Sequence, residues 1–312
     1  MNSAAGGDRP SAHVWAHLIV GPREEPFLQA LLASLVGVCD GLVVNDNAHD
    51  PSPHHAALHA SWFAREGRLI VDRTPFVDFS AARNRCLDLH REGGGPPWVA
   101  FVDADEVHGA GAQRVAQHLS LLPDEVDFVD GYTWHFFASF SLYTSIERRM
   151  MFFRLHPGLR WEGRVHEQLH GAPGRRIALP YIYAHYGHAL PVRRHAEKEH
   201  QYRDLGHEVY RDPKYRGILI PPERLDDIDV VTYFKTKWPI ALPFRGQHPE
   251  AAQSTIAALR ERYGTPYARA EALARAAQPF WVRARNTLMQ LNYEQRWRSR
   301  ALDPLARALL AP

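Results

Sequence analysis

The chain has 312 residues, of which 45% are hydrophobic and 23% are charged, and its formal net charge is +2. These values are typical of a folded globular protein and exclude an intrinsically disordered chain. The two cysteines, Cys39 and Cys86, are too few for a disulfide framework or a cysteine metal cluster. No run approaches the roughly 20 apolar residues that a membrane span needs. We therefore expect a reducing, cytoplasmic location.

Apolar runs and helical patterns alternate along the first third of the chain, after a small and polar stretch, residues 1–12, that predicts a flexible tail. This βαβα order predicts a parallel sheet with helices on both faces. The carboxyl ends of its strands then lie along one edge, where open α/β sheets bind ligands. The predicted strands are residues 13–20, 41–46, 68–72 and 97–103, and the predicted helices are residues 25–37, 54–66 and 79–92.

The pattern changes after Gly109 to longer, aromatic-rich runs. Residues 127–140, 148–155 and 177–186 predict strands that extend the sheet in antiparallel fashion. Their aromatic residues alternate in a way that is typical of a core, although some could instead line a pocket for a sugar. The aromatic residues in question are Trp134, Phe136, Phe137, Phe140 and Tyr143.

A helical pattern returns at Pro191, is interrupted by a proline-rich connector at 218–227, and continues as amphipathic helices over residues 249–311. The predicted fold class is therefore α/β, with a mixed sheet flanked by helices. We assign residues 13–190 to a ligand-binding domain and residues 191–312 to a mainly helical C-terminal region.

Acidic residues follow three of the predicted strands at the ends that share one edge, at Asp46, Asp72, Asp103 and Asp105. In the stretch "WVAFVDADEVHG", Asp103 and Asp105 are two residues apart and project to the same side of an extended chain. Two such carboxylates can jointly hold a hard cation such as Mg²⁺ or Mn²⁺, which removes their mutual repulsion. Glu106 would point to the opposite side and support the loop. A solvated acidic loop is the alternative interpretation.

Four ordered segments resemble the glycosyltransferase family 2 enzymes. They are "LIVGPREEPFLQALLASL", "GLVVNDNAHDPS", "DFSAARNRCLD" and "VAFVDADE", and the last resembles the DxD segment of that family. The resemblance implies a GT-A fold, a Rossmann-like nucleotide-binding sheet. It implies that Asp46 contacts the base or ribose of a donor and that Arg83 lies near the donor diphosphate. It further implies that Asp103 contacts the ribose or sugar side and that Asp105 is the principal metal ligand.

A second segment, "RWEGRVHEQLHG", resembles the G-x-x-HE segment of a subgroup of the same family. An inverting sugar transfer needs a carboxylate that takes the proton of the attacking hydroxyl. Glu167 is the candidate for this base, and Asp130 and Glu147 are weaker alternatives. A surface acid beside a structural histidine is the non-catalytic interpretation of Glu167.

Histidines near the end of the last predicted strand, in "YAHYGHA", are candidate ligands. A neutral imidazole at His185 could bind the metal, and His188 is a weaker candidate. Both could equally be structural. In the turn "FRGQHPE", Arg245 or His248 could contact phosphate, but a loop before a helix is the expected role.

The sequence therefore predicts a metal-dependent glycosyltransferase of the hexosyltransferase type. It would use Mn²⁺ or Mg²⁺ and move a sugar with inversion from a nucleoside diphosphate sugar, UDP-linked, to a hydroxyl acceptor. The acceptor is open among a saccharide, a lipid-linked saccharide, a small molecule, a protein and a nucleic acid. A non-catalytic nucleotide-sugar-binding protein is the alternative. A nucleotidyltransferase is disfavoured because "GPREEP" is not a glycine-rich basic loop.

Positive charge is concentrated near the C-terminus. Residues 245–312 contain eleven arginines, no lysine and five acidic residues. This surplus indicates a contact with an anionic partner, such as nucleic acid or the surface of a membrane. A solvated helical face that is rich in arginine explains the charge equally well.

Overall fold

The structure, a computed structural model, describes residues 13–190, 192–206 and 241–277 together with residues 280, 281 and 284. Four parallel strands form one half of its sheet: β1 (Val14–Val20), β2 (Gly41–Asp46), β3 (Leu69–Asp72) and β4 (Trp98–Asp103). Their order is β3-β2-β1-β4, as in doubly wound nucleotide-binding sheets. Val20 lies beside Asp46 and Ile19 beside Asp103, so these strands end at nearly the same level.

Helices cover both faces of this parallel half, as predicted. They are α1 (Leu28–Ser34), α2 (His55–His59), α3 (Trp62–Arg65), α4 (Phe79–Glu92) and α5 (Gly111–His118). Leu31 of α1 and Val115 of α5 belong to the core on one face, and Leu87 of α4 belongs to the core on the other. The predicted helix at 54–66 is two helices, because the Ser61 side chain accepts a hydrogen bond from the Ala64 amide and starts a new one.

The other half of the sheet is longer and mixed in direction. Its strands are β5 (Glu106–Val107), β6 (Val126–Phe137), β7 (Leu142–Arg154), β10 (Arg175–His188) and β11 (Leu242–Pro243). Between β7 and β10, β8 (Arg160–Glu162) and β9 (Gln168–His170) form a separate two-stranded hairpin. β6 and β7 are antiparallel, as predicted. The antiparallel prediction is wrong for β10, which runs parallel to β6. After β7 the chain passes through the β8–β9 hairpin and returns on the far side of β6, in the direction of β6.

Two helices are described beyond the sheet. α6 spans Val192–Asp204, and α7 spans Gln253–Ala277 with a kink at Tyr263. The prediction of helices is confirmed for these residues, whereas the connector at 218–227 and most of the residues after 277 lie outside the described part. No helix among the described residues is both long and apolar enough to cross a bilayer.

Aromatic packing joins the C-terminal helix to the sheet. The Tyr186 ring of β10 stacks between the rings of Phe27 and Phe136, with centroids at 4.3 and 4.9 Å. Ile256 and Tyr267 of α7 belong to the same cluster. Of the five aromatic residues named from the sequence, from Trp134 to Tyr143, four are buried: Phe136, Phe137, Phe140 and Tyr143. Their predicted role as core is confirmed.

His108 is a buried histidine that follows β5 and joins two layers. Its ring stacks on Tyr183 with centroids 4.9 Å apart, and its amide donates to the Ser34 hydroxyl of α1 at 3.1 Å. Burial lowers the pKa of His108 to about 4. The side chain therefore stays neutral in the folded protein at a pH where a histidine in the unfolded chain takes up a proton.

Acidification should therefore destabilise the fold through His108. The neutral His108 contributes fully to the unfolding free energy above the unfolded-state pKa of about 6.5. This contribution is lost at about 1.4 kcal/mol per pH unit as the pH falls toward the folded-state pKa. We expect His108→Gln to reduce the loss of unfolding free energy between pH 6 and pH 5 by about this amount. Urea unfolding at both pH values measures it. His59→Gln, at an exposed site, is the control, and equal pH dependence in all three proteins would contradict the prediction.

Candidate active site

A cleft of about 1220 Å³ opens at the carboxyl ends of the parallel strands. Segments that follow β1, β2, β3 and β4 line it, together with residues of the β8–β9 hairpin and of α6. This is the edge at which open α/β sheets bind ligands. Of the predicted site residues, Arg83, Asp103, Asp105 and Glu167 line the cleft.

The centre of the cleft is a network of charges around Asp103, at the end of β4. One carboxylate oxygen of Asp103 accepts a hydrogen bond from Arg83, and the other accepts one from Arg149 at 3.2 Å. Arg149 also donates to Glu106 at 3.1 Å. Glu106 in turn accepts the Asp103 amide at 3.1 Å, so the turn after β4 is closed on itself.

This network sets the charge of its carboxyl groups. Burial alone would raise the pKa of Asp103, but the guanidiniums of Arg83 and Arg149 outweigh it and hold the pKa well below the usual range. Burial raises the pKa of Glu106 to about 8, with Arg149 opposing the shift. Glu106 is 1% exposed. Its predicted role as a support of the loop is confirmed.

Arg83 lies on α4, which begins where Asp78 accepts a hydrogen bond from the Ala81 amide at 2.8 Å. The Arg83 guanidinium lies 4.2 Å from the centroid of the Phe101 ring and donates to the Val102 carbonyl at 3.2 Å. Its Nε donates to Glu167 at 3.3 Å. One side chain therefore bridges the strand that carries Asp103 and the hairpin that carries Glu167.

The neighbouring residue on α4 fixes the same hairpin through its backbone. The Asn84 side chain donates to the Trp161 carbonyl and accepts from the Trp161 amide, both at 2.9 Å. The Trp161 ring also stacks on Phe101 with centroids 4.9 Å apart. Because Arg83 and Asn84 are adjacent, α4 holds Glu167 and the base of its hairpin together.

Glu167 ends a tight loop between β8 and β9. Gly163 has a φ of 103°, and His166 has a φ of 56°, which is uncommon for a residue other than glycine. Strained backbone of this kind persists where the surrounding structure holds it in place. The weaker candidates for a base, Asp130 and Glu147, do not belong to the lining of this cleft, and Asp130 is bonded to Arg148 at 2.6 Å.

Asp105 faces a different partner from Asp103. Its Oδ1 lies 3.4 Å from Nε2 of His185 and has no hydrogen-bond partner, although it is buried. The absence of a side chain at Gly187 leaves room for the Asp105 carboxylate, because a Cβ at Gly187 would come within 2.3 Å of Asp105 Oδ2. The chain turns after β4, so the two carboxylates do not share one partner as an extended strand would require.

The Asp105 and His185 pair fits a divalent cation. Burial raises the pKa of Asp105, with Lys198 opposing the shift, and a bound cation would favour its charged form. Burial also lowers the pKa of His185 well below its usual value, so the ring is in the neutral form that binds metal. No group of three or more metal-binding side chains is present among the described residues. An ion here would share its coordination with a ligand or with water.

Two of the acids at strand ends, Asp46 and Asp72, make contacts within the protein and do not line the cleft, and the predicted contact of Asp46 with a base or ribose stays a prediction. Asp46 is 2% exposed and accepts the Ala48 amide at 3.0 Å, which shapes the loop after β2. Arg73 holds the same loop by donating to the Ala48 carbonyl at 2.8 Å. Asp72 pairs with Arg85 at 3.0 Å. The loop that Asp46 shapes lines the cleft through Asn47, Ala48, His49 and Asp50.

One face of α6 forms part of the cleft wall. Its cleft-lining residues are Arg194, His195, Lys198, Gln201 and Tyr202, which recur at helical spacing. Lys198 is bonded to the Tyr202 phenol, and although burial opposes it, Tyr202, Asp105 and Asp103 together raise the pKa of Lys198. Burial lowers the pKa of His188 well below its usual value, and its ring lies 4.7 Å from that of His195.

The remaining candidates lie away from this cleft. His248 contacts the Tyr186 hydroxyl at 2.8 Å and the Phe140 carbonyl at 3.0 Å, within the aromatic core. Arg245 is not part of the lining. The arginine-rich region is described as far as α7 and residues 280, 281 and 284, where Phe280 and Trp281 are exposed. Its predicted anionic partner stays a prediction.

Sequence reasoning missed three residues that the structure brings into the site: Asn84, Arg149 and Lys198. Asn84 follows Arg83 directly in "AARNRC", so the segment already quoted contained it. Arg149 follows Glu147 and Arg148 directly, and nothing in that run of charges distinguishes it from a surface arginine. Nothing in the pattern of α6 distinguishes Lys198 from a surface lysine.

No family model and no curated protein matches the chain. Solved structures do match. They include a mannosyltransferase from Pyrobaculum calidifontis in complex with GDP-Man and Mn²⁺, at 16% identity and a TM-score of 0.41, over 97% of this chain and 88% of that one. A mycobacterial protein matches at 18% identity and a TM-score of 0.29, over 39% of this chain and 41% of that one.

A third match is glucosyl-3-phosphoglycerate synthase from Mycobacterium tuberculosis in complex with Mn²⁺, UDP and phosphoglyceric acid. Its identity is 16% and its TM-score is 0.29, over 39% of this chain and 43% of that one. Because all three TM-scores are below 0.5, these likenesses assign neither a donor nor an acceptor to this chain.

Removal of Arg83 should destabilise the fold as well as the site. Arg83→Met removes a buried guanidinium and leaves the half-buried Asp103 without one of its two cations and Glu167 without its partner. Loss of one member of a buried ion pair costs about 3–5 kcal/mol. Urea unfolding at pH 7 should show a loss of this size.

Arg68→Met is the matched control, because Arg68 is 49% exposed in its ion pair with Asp40. It should change the unfolding free energy by less than about 1 kcal/mol. Equal losses in the two variants would show that Arg83 is not a central support.

Proposed function

We propose that this protein is a glycosyltransferase that moves a sugar from a nucleoside diphosphate sugar to a hydroxyl acceptor with inversion. The observation that carries the proposal is the Arg83 bridge. It holds Glu167, the candidate base, beside Asp103 in one cleft at the carboxyl edge of a β3-β2-β1-β4 sheet. The ordered resemblance of roughly residues 14–188 to family 2 enzymes and their GT-A fold supports the same function.

The donor is proposed to lie across the strand ends. Its nucleoside would contact the loop after β2 that Asp46 shapes, and its diphosphate would lie beside Asp105 and Arg83. Asp103, already bonded to two arginines, would contact the ribose or sugar side and hold the guanidiniums in place. A UDP-linked donor is our first choice.

Glu167 is proposed to act as the general base. The acceptor oxygen attacks the anomeric carbon while its proton passes to the Glu167 carboxylate. The bond between that carbon and the diphosphate oxygen breaks, and the bonding electrons leave with the nucleoside diphosphate. Arg83 keeps the Glu167 carboxylate oriented through its Nε contact of 3.3 Å.

Mn²⁺ or Mg²⁺ is the proposed cofactor, held by Asp105 and His185 with Asp103 nearby. When bound, the ion would neutralise negative charge on the diphosphate. Two observations favour this position: the Oδ1 atom of Asp105 has no hydrogen-bond partner, and the ring of His185 is neutral.

The acceptor stays open among saccharides, lipid-linked saccharides, small molecules, proteins and nucleic acids. A non-catalytic nucleotide-sugar-binding protein would bind the donor in the same cleft without turnover. Glu167, which lines the cleft with its side chain 11% exposed, favours an enzyme over this alternative. A cytoplasmic location and an anionic contact of the C-terminal region complete the proposal.

Replacement of the proposed base should separate chemistry from binding. Glu167→Gln keeps the shape of the side chain but cannot accept the proton. The rate of nucleoside diphosphate release from nucleotide sugars should therefore fall by about 10²–10⁴-fold. Affinity for the nucleoside diphosphate should be retained.

A screen of UDP- and GDP-sugars with Mn²⁺, first without acceptor and then with acceptor mixtures, measures this rate. Glu162→Gln, at an exposed site on the same hairpin, should retain wild-type activity. An active Glu167→Gln enzyme would place the base elsewhere. Wild-type protein that neither binds nor hydrolyses any nucleotide sugar would refute the proposed function.

The metal site predicts a thermal signature that does not depend on activity. Because a ligand that binds the native state stabilises it by mass action, Mn²⁺ with UDP or GDP should raise the wild-type Tm by about 2 °C or more. Asp105→Asn, which removes the charge but preserves the shape of the side chain, should lose most of the rise in Tm that requires Mn²⁺. Asp124→Asn, at a fully exposed carboxylate, should retain it. A full Mn²⁺ effect in Asp105→Asn would remove Asp105 as a ligand.

A further inference from the structure

The α6 wall carries one cation that the proposed mechanism does not use. Arg194 is already paired, because it donates to Glu25 at 2.5 Å and to the Glu24 carbonyl. No ion pair joins Lys198 to a carboxylate of the described residues, and its hydrogen-bond partner is the neutral phenol of Tyr202. Lys198 lines the cleft and is only partly exposed.

Lys198 lines the same cleft as Asp105 and Asp103, and these two carboxylates raise its pKa against the effect of burial. Both follow or end β4, and β1 lies between β4 and β2. Since neighbouring strands are about 4.8 Å apart, the end of β4 is roughly 10 Å from the end of β2. That span suits a nucleoside at the loop after β2 and a terminal phosphate beside the end of β4, in the cleft that Lys198 also lines.

We infer that Lys198 binds the terminal phosphate of the nucleoside diphosphate, the group that leaves in the reaction. This inference rests on the proposed function and adds a residue to its site. The ammonium donates hydrogen bonds to phosphate oxygens in the cleft that Asp105 also lines. Tyr202, one helical turn further along α6, holds the amine in position.

Lys198 has a different role from Arg83. The Arg83 guanidinium is fixed by Asp103, Glu167 and the Val102 carbonyl, so it organises protein groups. The Lys198 ammonium keeps donors for a ligand because a phenol uses only one of its three hydrogens. Its charge strengthens binding most when the distal phosphate carries the negative charge of the departing group.

The experiment compares nucleoside diphosphates with nucleoside monophosphates, because only the diphosphates contain the distal phosphate. Isothermal titration measures UDP against UMP, and GDP against GMP, in EDTA and again in excess Mn²⁺. We expect Lys198→Met to weaken diphosphate binding by about tenfold or more, the size of a charge-assisted hydrogen bond. Monophosphate binding should change by less than about threefold.

Arg203→Met is the matched control. It removes one positive charge from the same helix, but Arg203 lies outside the lining of the cleft and pairs with Asp204. It should preserve the preference for the diphosphate, and Lys198→Arg should restore part of it. Retained monophosphate binding shows that Lys198→Met is folded. If that variant binds neither ligand, the ratio of diphosphate affinity to monophosphate affinity is measured for Lys198→Gln instead.

The outcomes separate this inference from the function on which it rests. A wild-type preference for the diphosphate that disappears in Lys198→Met but not in Arg203→Met supports the inference. The same preference kept in full by Lys198→Met overturns the role of Lys198 and leaves the proposed function standing. Wild-type protein that binds none of the four nucleotides in either condition overturns both.

Discussion

The candidate site depends on one buried guanidinium. Arg83 bonds Asp103 at the end of β4 and Glu167 on the β8–β9 hairpin, two carboxylates that stand 64 residues apart in the sequence. Without a cation between them, two carboxylates in a partly buried cleft would lose hydration and repel each other. Arg83 removes that cost for both, and α4 is rigid enough to fix where they meet. The fold and the site therefore share one support.

Only a few secondary-structure elements supply the contacts around Arg83. Adjacent residues of α4 fix the side chain of Glu167 and the backbone of Trp161, while Arg149 of β7 joins Asp103 to Glu106. The charges inside this network neutralise one another. Charges at its margin, on Asp105 and Lys198, are left to face the cleft. The proposed contacts with the ion and the terminal phosphate fall on these two groups at the margin.

Local sequence was informative wherever a pattern repeats within one element. The helix at residues 79–92 was predicted with the bounds that α4 has, and so was the strand 41–46, because a helical or apolar period is a local property. The support role of Glu106 was also predicted. The direction of β10 was not, since it depends on which side of β6 the chain reaches after a hairpin. The chain turns between Asp103 and Asp105 and is not extended there as expected, and their joint binding of one cation stays a prediction.

The sequence by itself determined the α/β architecture, the edge at which acids collect, and the identity of four cleft residues, Arg83, Asp103, Asp105 and Glu167. Only the tertiary structure decided how their charges divide. It placed Arg149 against Asp103, left Asp105 with His185, buried Asp46, and brought Lys198 into the same cleft. The physical reason is that strand and helix periods arise from neighbours along the chain. Ion pairing and burial arise from neighbours in space, which a single sequence does not specify.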